Sequence, residues 1–116
     1  MGDRGNICMK MEDGGQVFFY SHWGGYALPE TLKAALIRAR GTKADGGRFI
    51  NGRWDDEPYL ARIIFNEMTK GDEMETSGFG ISTYLGDNER EIIYVSVKEQ
   101  TVTIADKVTK FEDYVK

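Results

Sequence analysis

Apolar and polar positions alternate near the start of the chain. Ile7, Met9 and Met11 share one side of an extended segment, the spacing of a half-buried strand. "EDGGQ" follows as a hairpin turn, with Gly14 and Gly15 at its centre, and 17–21 returns as a second strand. The period then changes to that of a helix. Leu28, Leu32, Ala35, Leu36 and Ala39 form one stripe, Pro29 suits the first turn because no N–H partner is lost there, and Gly41 ends the segment. Leu60, Ile63, Ile64 and Met68 mark a second helix, with Asp55 or Asp56 as its N-cap. Between the helices, 41–57 shows no clear period. A loop of that length is either functional or disordered, unless a turn centred on Asn51-Gly52 divides it. Three further strands, 79–85, 91–97 and 101–105, are joined by "GDNE" and "KEQ" and read as an antiparallel meander. "TKFEDYVK" closes the chain as a helical turn docked by Phe111 and Tyr114.

The resulting order is ββααβββ with a short C-terminal helical turn. Segregated strands and helices predict an α+β fold, an antiparallel five-stranded sheet with two helices packed on one face. Residues 1–116 suit one such domain.

Composition narrows the setting. With 41% apolar and 29% charged residues the chain is expected to be globular. No apolar run reaches the ~20 residues of a membrane span, and the opening residues lack a signal-peptide core. Met1-Gly2 is not followed by the Ser or Thr of a myristoylation motif, since Asn6 stands there. The lone Cys8 cannot make an internal disulfide and reads as a small buried residue, so a cytoplasmic location is expected. One His and one Cys exclude zinc sites built from several such ligands. A net charge of −4 argues against non-specific DNA binding but permits a small anionic ligand.

Candidate chemistry concentrates at two junctions. In "HWGG", Gly24 and Gly25 stand between a strand and a helix start, where free amides suit a phosphate. Trp23 and Tyr26 offer base-stacking platforms, and His22 a hydrogen bond. In "GRWDDEP", Arg53 can hold a phosphate and Trp54 can stack, while Arg4 and Arg48 are further cations. If both helix starts share one sheet edge, His22, Trp23, Arg53 and Trp54 line one pocket for a nucleotide-like ligand. The bland alternative is that HWGG is a turn around a core tryptophan. Asp55 and Asp56 are a weaker Mg²⁺ alternative to capping. No cofactor is expected. Ser82 and Thr83 offer hydroxyls, and a serine nucleophile with His22 as its base, a metal-assisted phosphodiesterase using His22, a protein-binding inhibitor of a host factor, and a homodimer remain open alternatives.

The blocks "GDRGNI", "HWGG", "LPETLKAAL", "RWDDEPYLARIIF", "GFGIST" and "DNE" resemble, in that order, a family of small proteins from bacteria and phages. The resemblance runs from Gly2 to about Val97, and the segment before Arg53 is longer than is usual there. It implies a bacterial or phage setting and brings no activity with it. By analogy with small viral inhibitors, a nucleotide pocket in that setting suggests sequestration of a host immune signal.

Overall fold

The computed structural model describes residues 2–116. The opening hairpin is β1 (Gly5–Lys10) and β2 (Gln16–Ser21), in a register that opposes Ile7 to Phe19 and Met9 to Val17. A 3-10 turn over Gly25–Ala27 leads into α1 (Leu28–Ala39). All five residues of its expected stripe are buried. Two-residue strands β3 (Thr42–Lys43) and β4 (Phe49–Ile50) then pair as a small separate hairpin. Helix α2 (Glu57–Thr69) begins at Asp56, whose carboxylate accepts the Tyr59 N–H at 3.3 Å. Of the expected apolar stripe, Leu60, Ile64 and Met68 are buried and Ile63 is partly so. Strands β5 (Phe79–Ser82), β6 (Ile93–Ser96), β7 (Thr101–Ile104) and β8 (Lys107–Lys110) and the short helix α3 (Phe111–Tyr114) complete the order.

The fold is α+β, but the sheet differs from the expected five antiparallel strands. It has six, in the order β5-β2-β1-β6-β7-β8, and β1 pairs with β6 in parallel, Ile7 opposite Ile93. Strand β5 lies at the far edge against β2, with Ile81 opposite Phe19. "GDNE" is therefore no hairpin turn. It belongs to a connection that carries the chain past β2 and β1. Asn6, at the start of β1 and 1% exposed, holds that connection by donating to the Asp87 carbonyl and the Asn88 side chain at 2.9 and 3.0 Å. The chain is thus tied to the beginning of β1 shortly before β6 starts, so the two strands run the same way.

The sixth strand arises at Ala105 and Asp106, which take φ values of 49° and 69°. Two successive positive φ values make the tight turn that returns the chain as β8. The 41–57 segment also differs in detail. Its hairpin turns within 44–48, and Asn51, with φ of 60°, follows β4 instead of centring the turn.

The helices cover one face of the sheet over a core that includes Ile7, Met9, Phe19, Val95 and Val102. Phe65 of α2 meets Phe19 with ring centroids 5.9 Å apart. Tyr114 of α3 donates its hydroxyl proton to the Pro29 carbonyl at 2.8 Å. Cys8 lies on the other sheet face, fully buried beside its strand partners Phe18 and Tyr94, and burial pushes its thiol pKa up. Among the described residues no helix is long and apolar enough to cross a membrane.

Candidate functional site

The two expected junctions flank α1 at opposite ends. Gly25 lies in the turn that enters the helix, whereas the Arg53 N–H donates to the Ala39 carbonyl at its exit, at 2.7 Å. A 12-residue helix spans roughly 18 Å. His22, Trp23, Gly24, Gly25, Tyr26 and Arg4 gather at one end, Arg53 and Trp54 at the other. Among the described residues the two groups therefore stand a helix length apart. The second helix start lies beside the end of the first, because the chain doubles back after α1.

At the entry end the protein supplies its own anion. The Asp3 carboxylate accepts the Tyr26 N–H at 3.0 Å, the Asp3 carbonyl accepts the Gly25 N–H at 2.8 Å, and Ser21 Oγ accepts the Gly24 N–H at 3.1 Å. The donors expected to cradle a phosphate are thereby occupied. Arg90 grips Asp3 through two nitrogens, and this contact, more than any other, holds the carboxyl below its usual pKa. Arg4, read as a ligand cation, pairs with Asp87 and Glu89 at 3.3 and 3.1 Å. The Arg4 backbone N–H and guanidinium hold the Glu89 carboxyl below its usual pKa. "GDRGNI" and "DNER" thus close on "HWGG" as a network of ion pairs and hydrogen bonds.

His22 Nδ1 shares a 2.7 Å hydrogen bond with the Tyr20 hydroxyl, which burial helps to keep protonated. Ser82 cannot serve as its nucleophile. Ser82 pairs with Phe18 three positions along the strand from the Ser21–Phe79 pair beside His22, and its hydroxyl donates to the Tyr84 carbonyl at 2.6 Å. Asp55 and Asp56 lie at the far end of α1. Among the described residues, no group of three or more His, Cys, Asp or Glu side chains could hold a metal ion.

Trp23 is not a core residue. It is 57% exposed, and one edge of its indole rests on Gly78, where a Cβ would stand 2.7 Å from the ring. Gly78 also takes φ of +98°, so the site favours glycine on both counts. With Tyr26 and Phe79, Trp23 walls a hollow of about 370 Å³ whose charged groups are Asp72 and Glu75. That hollow suits a cation better than a phosphate.

The exit end has the opposite character. Between Arg38 and Arg53 the chain carries five cations and only one carboxylate, Asp45. A cleft of about 460 Å³ opens there, lined by Arg40, Phe49, Trp54, Asp55, Gln100 and Glu112 among others. Trp54 is anchored: its Nε1–H donates to the Leu36 carbonyl at 2.9 Å and its ring meets Phe111 edge-on at 5.5 Å. Arg40 stands 4.2 Å over the Phe49 ring, its Nε buried without a hydrogen-bond partner. Among the described residues it has no ion pair. Sequence reasoning did not single out Arg40; the local excess of cations was the available signal. Arg53 is half-buried over the Tyr59 ring at 4.9 Å, and Arg48 stands exposed in the β3–β4 turn. No family model matches the chain, and neither a curated protein nor a solved structure shows significant similarity to it.

Proposed function

We propose that the protein binds a small nucleotide-like ligand at the exit end of α1, with a planar heterocycle in the cleft beside Trp54. The observation that supports this most directly is Arg40. A guanidinium stacked on Phe49, with a buried donor left unpaired, is unfavourable in the free protein and becomes useful when a ligand acceptor arrives. Gln100, Asp55 and Glu112 add the donors and acceptors that a base edge requires. In the bacterial or phage setting suggested by the sequence blocks, such a protein would sequester a nucleotide signal. Calorimetric titration with nucleosides and with mono-, di- and cyclic nucleotides tests this. The expected result is saturable binding that weakens at least tenfold in Arg40→Met; absence of binding across the panel rejects it.

A second reading draws on the entry end. Exposed Trp23 and Tyr26 beside Asp72 and Glu75 offer an aromatic and acidic seat for a lysine or arginine of a protein partner. Trp23→Ala would abolish such a complex without changing nucleotide binding, which a pull-down run beside the titration separates.

A further inference from the structure

The strap that follows β4 distributes its side chains between two cavities. Gly52, Trp54 and Asp55 line the cleft just described, whereas Asn51 and Arg53 line a second cavity of about 330 Å³. The other charged groups lining the second cavity are Arg38, near the end of α1, and Arg62, on α2. Among the described residues no carboxylate lines it. In a protein of net charge −4, three arginines around one cavity concentrate positive charge there.

The ordinary explanation would be that these arginines neutralise nearby acids or cap α1. For Arg53 and Arg62 the contacts leave little room for either. The Asp56 carboxylate accepts from the Tyr59 N–H, and the Glu57 carboxylate accepts from the Glu12 N–H. Arg38 is partly engaged, since one of its terminal nitrogens donates to Asn66 Oδ1 at 2.5 Å and pairs with Glu67 at 3.4 Å, while Arg53 and Arg62 have no ion pair among the described residues. Two of the carbonyls at the end of α1 also have donors of their own. Leu36 accepts from Trp54 Nε1 and from the Arg40 N–H, and Ala39 accepts from the Arg53 N–H. The side chain of Arg53 is instead positioned by the Tyr59 ring and a 3.4 Å contact to the Gly52 carbonyl.

We infer that this cavity is a phosphoryl-binding site, with Arg53 and Arg62 as the principal donors and Arg38 as a third cation. Arginine suits the task because its planar fork matches two phosphate oxygens at once. The inference rests on the proposed nucleotide reading for one point only, that the same ligand also places a ring beside Trp54. It names the charged part as a phosphate chain, and so favours di- and triphosphates over nucleosides.

Inorganic pyrophosphate is the probe, titrated calorimetrically into the intact protein at low salt. Wild type should bind it, and Arg53→Gln and Arg62→Gln should each weaken binding at least tenfold. Arg62 is exposed on α2, so its variant should fold normally even if the Arg53 variant does not, and thermal melts verify this. Lys107→Gln, which removes an exposed cation from the edge strand β8, should leave pyrophosphate affinity unchanged. Pyrophosphate binding without nucleoside binding would uphold the phosphoryl site and reject the ring cleft. Nucleoside binding without pyrophosphate binding would do the reverse. Pyrophosphate affinity that survives in Arg62→Gln and Arg53→Gln alike overturns the site.

Discussion

Replacing Arg40 by methionine separates a ligand-binding arginine from a structural one. A buried donor left unpaired costs about 1–3 kcal/mol. The stacking of the guanidinium on a partly exposed Phe49 returns about 0.5–1 kcal/mol. Methionine keeps an apolar stem of similar length and removes both terms, so Arg40→Met should be at least as stable as wild type, by up to about 2.5 kcal/mol. For a chain of this size each kcal/mol moves the melting point by about 4 °C, so the free variant should melt no lower than wild type and up to about 10 °C higher. Nucleotide should then reverse the order. Ligand at a hundred times its Kd adds about 2.7 kcal/mol to the protein that binds it, roughly 10 °C, and little to the variant. Thermal melts with and without ligand read both effects. A variant that melts several degrees below wild type in the free state refutes the reasoning, because Arg40 would then be holding the fold together.

Asp3 has a folded-state pKa below its ordinary 3.8, so its contribution is present above that value and is lost as pH falls through the lower one. Asp3→Asn should therefore be less stable than wild type at pH 7, with the gap closing in strong acid; urea melts across pH check this, and a gap independent of pH contradicts it. Tyr114, buried against α1, has its phenol pushed up to about 12 from 10.0. A raised pKa makes the stabilisation full below 10 and lost as pH climbs toward 12, so absorbance titration should find one of the six tyrosines ionising last, and Tyr114→Phe should remove that step. A Cβ at Gly25 would stand 2.7 Å from the Asp3 carbonyl oxygen. Gly25→Ala should break the Asp3 contacts and cost at least about 1–3 kcal/mol in a denaturant melt; a neutral result would mean that the N-terminal segment is not held there.

The helices were legible because their signal is local. The Leu28–Ala39 stripe and the Asp56 cap each lie within one or a few turns of chain. The sheet order was not, because it depends on Asn6 reaching residues 81 and 82 positions away. Strand β8 escaped because Ala105-Asp106 makes its turn without the Asn-Gly pair that usually marks one. The reading of HWGG identified amides that need an acceptor. It could not show that the acceptors include Asp3, far earlier in the chain, in place of a bound phosphate. Arg53 and Trp54 are consecutive residues that line different cavities, which motif reading misses.

The two tryptophans lie at opposite ends of α1, so their indole N–H signals report separately on the two ends. An ¹H–¹⁵N spectrum of the protein, recorded while a nucleoside diphosphate is added, tests the central claim most directly. The account predicts that the Trp54 indole signal moves in a saturable way, together with the arginine side-chain signals, while the Trp23 signal stays in place. Movement of Trp23 alone, or no movement at all, would contradict it.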